Sequence, residues 1–310
     1  FQIIKKQKIL ILRSQRCGTN EMINLFYKKY KNTNIIIEDT LRRGCININL
    51  IGEKPREKGG SYYYMKICDT LKNIPIDELQ KYKIFWVIKN PFERLLSFFE
   101  VNFLQKTRYP NKSFENLIDS FHKYFVLNET NGMKDYKART GWMTHICPQT
   151  DYNFITRIKK SIKLKYNDSK FKNFLNYIEN IITKKINHNN LKVIESKKLS
   201  ILYKDLNIDL TNFTDYQNIL DIKQNISIKK KLFTVTSKKI IKKYKNNNDF
   251  KNCFDNYDLK FEKDTNRIST KWTLPIINLE NFYNKYLKNK VSQIYKKDFE
   301  IFKKWNYNYL

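Results

Sequence analysis

Along the first hundred residues the apolar positions shift between runs that suit a strand and spacings that suit a helix. Ile3–Leu12 reads as a strand, Glu21–Tyr30 as a helix and Asn34–Glu38 as a short apolar strand. A turn-rich segment carrying Pro55, Gly59 and Gly60 follows, and then a third strand over Tyr62–Ile67. Pro75 stands at the start of a short helix, Ile76–Tyr82. Ile84–Ile88 predicts a fourth strand and Phe92–Phe103 an amphipathic helix. Strands alternating with helices predict an α/β fold with a parallel central sheet.

Beyond Arg157 the pattern turns helical and rich in Lys and Asn, interrupted by Leu191–Glu195, which reads as one further strand. Lys223–Asn248 is so polar that a mobile insertion or solvent-facing helices are expected there. Asn281–Trp305 predicts a long amphipathic helical region. The expected organisation is a single domain over 1–310. It has an α/β core over 1–150, a divergent, mostly helical insertion over about 157–250, and a closing segment over 260–310. No internal repeat is present.

Composition changes this picture in a few places. With 310 residues, 41% hydrophobic and 15% aromatic, the chain can bury a substantial core and is not of a disordered type. No run of eighteen apolar residues occurs, so no membrane-spanning segment is expected in this chain. It opens at Phe1 rather than Met, so an upstream segment is expected, and that segment would be the place for a signal or an anchor. The formal charge of +30 would attract polyanions of any kind, whether nucleic acid, acidic polysaccharide or acidic lipid. Lysine supplies 50 of the 60 basic residues, and Lys, Asn and Ile are all favoured by A/T-rich codons. Codon drift therefore explains much of the charge, and the arginines carry more information. Five widely spaced cysteines without a CxxC pair, and only three histidines, argue against a zinc site and for reduced thiols, with one or two disulfides as the alternative.

Two strand-to-helix junctions hold the candidate chemistry. The first, KILILRSQRCGTN (Lys8 to Asn20), runs from an apolar strand into Arg16-Cys17-Gly18-Thr19-Asn20. Gly18 lets the backbone approach a ligand, Thr19 adds a hydroxyl donor, and Arg16 offers a fixed fork of donors to an oxyanion. A Gly-Thr-Asn turn also serves simply to cap a helix. GxxxxGK[ST] is absent, which argues against ATP or GTP hydrolysis. The second junction, IFWVIKNPFERLLSFF (Ile84 to Phe99), ends its strand at Lys89-Asn90-Pro91, with Arg94 and Ser97 on the helix that follows. Backbone N–H groups at such junctions bind anions, and two on neighbouring strands suit a ligand with two separate anionic groups.

These residues resemble the sulfotransferase superfamily, and more narrowly the Golgi carbohydrate sulfotransferases of the chondroitin and dermatan type. RCGTN resembles the family's 5′-phosphosulfate loop, and VIKNPFERLLSFF its 3′-phosphate motif V-R-x-P-F-E-R-L-x-S-x-[FY]. Leu79 and Tyr82 stand at the family's spacing before the second motif. His145-Ile146-Cys147-Pro148-Gln149 is similar to H-W-x-P-Q, and Asn266-Arg267-Ile268-Ser269-Thr270 to a late T-R-T-T-like stretch. Ile294 to Phe302 resembles the closing I-Y-x-x-D-F-x-x-F. The matches run in order along nearly the whole chain, with a poor middle third.

The resemblance implies a P-loop-NTPase-like fold and 3′-phosphoadenylyl sulfate (PAPS) as sulfuryl donor. Adenosine 3′,5′-bisphosphate (PAP) would be the product, and no metal is implied. Arg16, Cys17, Gly18, Thr19 and Asn20 would hold the 5′-phosphosulfate. Lys89 and Ser97 would hold the 3′-phosphate, helped by Arg267 in the closing segment. Arg94 would either contact the cofactor or pair with a carboxylate such as Glu93 or Glu100 in the scaffold. Arg16 would also be catalytic, stabilising charge on the departing phosphate. The acceptor would be a hydroxyl, foremost on a glycan, with polyanion contact through the basic surface and no specific nucleic acid expected. The address would be the Golgi lumen if an upstream segment is an anchor, and the cytoplasm otherwise.

The general base is not singled out. Residues 21 to 88 hold no histidine, which leaves Glu38, Asp39 and Asp69 as carboxylate candidates and His145 as the other. Each reads equally well as a solvated or hydrogen-bonded residue. Trp142 suits stacking on a sugar or adenine as well as core packing, while His122 and His188 read as structural or surface residues. Lys89 replaces the family's commoner Arg, keeping charge and losing the bidentate fork. The cysteine pairs typical of secreted animal members are missing after His145. Two alternatives stand beside the glycan reading: transfer to a small alcohol, phenol or peptide tyrosine, and a non-catalytic polyanion- or nucleic-acid-binding module on the same fold.

Overall fold

A computed structural model of the chain describes residues 2–13, 17, 37–39, 69–99, 114–129, 146–152, 168–208, 230–235, 261–263, 270–275 and 283–309. The chain divides into two discontinuous units. One comprises Phe1–Asn90, Ala138–Ile208 and Tyr295–Leu310, the other Pro91–Lys137 and Asp209–Ile294.

The first unit is built on a five-stranded mixed sheet. Its strands are β1 (Gln2–Ile4), β2 (Ile9–Arg13), β3 (Ile37–Asp39), β4 (Lys83–Ile88) and β5 (Leu191–Glu195), in the order β3-β1-β2-β4-β5. β2, β4 and β5 are parallel, in the registers Leu12↔Trp86 and Trp86↔Val193, while β1 runs antiparallel to both β2 and β3. The sheet is therefore α/β but not wholly parallel. The expected single strand Ile3–Leu12 is in fact a hairpin. Four consecutive polar residues, Lys5-Lys6-Gln7-Lys8, have no apolar face to bury and form a tight 3-10 turn. Lys8 closes it in the left-handed region, with φ 52° and its N–H donating to the Lys5 carbonyl. The strand expected over Tyr62–Ile67 lies outside the described residues.

Alternation along the strands aims Ile3, Leu10, Leu12, Ile84, Trp86 and Ile88 into one core. Helix α1 (Ile76–Leu79), opened by Pro75, adds Leu79. The larger helix over that core, α4 in chain order, spans Ser169–Ile182 and contributes Phe171, Phe174, Leu175, Tyr177, Ile178, Ile181 and Ile182. Burying each of these large side chains contributes roughly 1.5–3 kcal/mol. Asp168 caps the helix, accepting from the N–H groups of Lys170 and Phe171 at 3.0 and 3.4 Å. Lys72 donates to the same carboxylate at 2.9 Å. After the short helix α5 (Leu199–Asp205), the C-terminal helix α7 (Lys296–Lys304) returns to the core and places Phe302 5.6 Å from Trp86, ring to ring.

The second unit holds α2 (Pro91–Phe99), α3 (Phe114–Phe125) and α6 (Lys285–Ile294). Aromatic edges join them: Tyr283 packs against Phe92 and Phe114 at 5.0 and 5.3 Å and donates its hydroxyl to the Phe92 carbonyl at 2.8 Å. The unit also contains a three-stranded antiparallel sheet, β6 (Lys230–Val235), β7 (Phe261–Lys263) and β8 (Thr270–Pro275), in the order β6-β8-β7. At 230–235 this corrects the expectation of a mobile insertion or solvent-facing helices over 223–248, and the second half, expected to be mostly helical, also holds this sheet. KLFTV and TKWTL carry β-branched and aromatic residues that suit pairing, but their partners lie some forty residues apart, and the surrounding lysines mask the signal. The long helical region expected over Asn281–Trp305 is two helices broken at Tyr295, where the chain passes from one unit to the other.

Candidate functional site

Parallel strands end together, and ligands of α/β proteins bind beyond their C-terminal tips. Here β2 and β4 are adjacent and parallel, with Arg13 opposite Val87, so the chain leaves both tips at one sheet edge. β2 leads towards Cys17, and β4 leads into Lys89 and Asn90.

A single side chain ties the two tips together. Gln149 Oε1 accepts from the Lys89 N–H at 2.9 Å and from the Cys17 thiol at 3.3 Å, and Gln149 Nε2 donates to the Lys89 carbonyl at 2.6 Å. Gln149 is buried, and so is Cys17. The backbone beneath Gln149 is held in turn by Asp298 of α7, a fully buried carboxylate. Its Oδ2 accepts from the Gln149 N–H at 2.8 Å, and its Oδ1 from the Thr150 N–H at 3.0 Å and the Thr150 hydroxyl at 2.7 Å. Three donors, two of them backbone, compensate the burial of the charge. One turn earlier, the Tyr295 hydroxyl donates to the Ile146 carbonyl at 2.6 Å. Residues 146–150 are thus pinned to the start of α7 at both ends and present one amide to the strand tips. Burial pushes the Tyr152 phenol well above its usual value, with the charge of Asp298 adding to the shift, so Tyr152 stays protonated beside this cluster.

Four sequence segments that carried the resemblance therefore meet in the first unit: Cys17, Lys89, Ile146–Gln149 and Tyr295–Asp298. Lys89 is half-buried at its strand tip, while the thiol of Cys17 faces inward. Arg94 and Ser97 lie on α2 of the second unit and are 1% and 8% exposed. Arg16, Gly18, Thr19, Asn20, His145, Trp142 and Arg267 lie outside the described residues.

Glu38 and Asp39 are on β3, the edge strand. The register sets Asp39 opposite Gln2, which in turn faces Ile11. That is two strands from β2, about 10 Å across the sheet and below the tips where Cys17 and Lys89 meet. Asp69 makes a surface ion pair with Lys72 at 3.5 Å. His188 is a core residue: Nε2 faces the Tyr82 carbonyl and Nδ1 the Tyr177 hydroxyl, both at 3.0 Å, an arrangement that requires the Nε2–H tautomer. His122 is on the surface, bonded to Gln293.

Gln149, Thr150, Tyr295 and Asp298 were given no role by sequence reasoning. The available signal was the pairing of two polar-bearing motifs far apart in the chain, each embedded in apolar residues. Cys17 and Cys147 are present as thiols rather than in a disulfide. Among the described residues no group of three or more His, Cys, Asp or Glu is placed to hold a metal ion, and no helix is long and apolar enough to cross a membrane.

Comparison with known proteins finds no match among family models, curated proteins or solved structures.

Proposed function

We propose that the chain is a PAPS-dependent sulfotransferase on a P-loop-like α/β fold, transferring the sulfuryl group to an acceptor hydroxyl, foremost on a carbohydrate. The observation that supports this most is the meeting of Cys17, Lys89, Gln149 and Asp298. Motifs that resemble one family in sequence lie at the tips of two adjacent parallel strands. In this reading Arg16 and the backbone donors of Gly18, Thr19 and Asn20 grip the 5′-phosphosulfate. Lys89 and Ser97, with Arg267, grip the 3′-phosphate.

The reaction is an in-line displacement at sulfur. The acceptor oxygen forms a bond to sulfur as the bond from sulfur to the 5′-phosphate oxygen breaks. The acceptor proton passes to a general base, with His145, Glu38 and Asp39 as the candidates, and PAP departs. Negative charge grows on the bridging oxygen, where Arg16 would stabilise it; one such donor is worth about 3 kcal/mol in the barrier.

Transfer of labelled sulfate from PAPS to a panel of desulfated glycans, phenols and tyrosine peptides tests the reading. Arg16→Ala is expected to abolish turnover and retain PAP binding. Full turnover in that variant would remove Arg16 from the mechanism, and no transfer to any acceptor by the parent chain would remove the activity.

A further inference from the structure

We infer that Gln149 is a positioning residue that couples the two anion-binding junctions, so that the 5′ and 3′ subsites for the donor nucleotide form together. This rests on the sulfotransferase reading and deepens it. The amide of Gln149 bonds to both backbone groups of Lys89, extending the hydrogen-bonded ladder just past Ile88, where β4 stops pairing with β5. The same Oε1 that accepts from Lys89 also accepts from Cys17, whose covalent neighbours are Arg16 and Gly18. One oxygen therefore feels both tips, and a shift of either changes its bond to the other. The side-chain amide works from a fixed base, because the backbone N–H of Gln149 donates to Asp298. At 2% exposure, Gln149 leaves little room for water to replace these bonds.

The test measures, by titration calorimetry, the affinities of PAP, adenosine 5′-monophosphate and adenosine 3′-monophosphate for the parent chain, Gln149→Leu and Cys17→Ala. Gln149→Leu is expected to weaken both monophosphates about tenfold, the scale of a lost buried hydrogen bond. Cys17→Ala removes the thiol that links Gln149 to the first junction. It is expected to weaken the 5′-monophosphate and, through the shared oxygen, the 3′-monophosphate by a smaller factor. A purely local or packing role would not move the 3′ ligand. A folded Gln149→Leu that weakens one monophosphate alone, or neither, overturns the coupling. If Gln149→Leu does not fold, an unchanged 3′-monophosphate affinity in Cys17→Ala overturns it. Failure of the parent chain to bind PAP at all is a separate result, which brings down the donor reading and this inference with it.

Discussion

At the scale of single residues, Asp298 shows how hydrogen-bond donors compensate the burial of a carboxylate. Its two oxygens accept from two backbone N–H groups and one hydroxyl, all within 3.0 Å. Asp298→Ala would leave those donors enclosed and unsatisfied, at roughly 1–3 kcal/mol for each. The expected outcome is a loss of at least about 3 kcal/mol, read from the urea midpoint at unchanged slope. Loosening of Gln149 should weaken PAP binding in whatever fraction stays folded. The closing motif thus holds residues 146–150 in place. Lys89 and Cys17 were legible in the sequence as junction residues. Their common partner was not, because Gln149 is 132 residues from one and 60 from the other.

At the scale of elements, α4 owes its position to an apolar stripe and its start to Asp168. The bond from Lys72, then the helix N–H groups, hold the Asp168 carboxyl below its ordinary value, and the bond to Asp168 raises Lys72 above its own. A carboxyl lowered on folding contributes stability that is present above its unfolded value of 3.8 and lost as pH falls through the lower folded value. The raised lysine contributes below 10.5, and that share is lost as pH climbs through the folded value. Asp168→Asn is therefore expected to lower the melting temperature by a few degrees at neutral pH. The gap from the parent chain should close in strong acid, as followed by circular dichroism across a pH series. The elements themselves were partly legible. Leu191–Glu195 is a strand over the residues expected, since Leu191, Val193 and Ile194 make a short apolar run with β-branched residues. The β1–β2 hairpin and the 230–275 sheet were not, since pairing partners cannot be read from local periodicity.

At the scale of the whole molecule, the charge of +30 sets a background against which any ligand must be tested. PAP at 100 times its dissociation constant should stabilise the fold by roughly 2.7 kcal/mol. The melting shift should largely survive added salt, whereas attraction to the lysine-rich surface is screened over about 8 Å at physiological ionic strength. An equal shift from plain sulfate would favour the polyanion-binding module instead. The residue types at two strand-to-helix junctions, the α/β character and the strand Leu191–Glu195 were determined by the sequence alone, because each depends on residues close together in the chain. Tertiary structure alone decided that the sheet is mixed, that the chain parts into two interleaved units, and that one buried amide and one buried carboxylate join four distant motifs. The physical reason is that a buried polar group must find its partner in space, and nothing in the local pattern of a chain states which distant residue that will be.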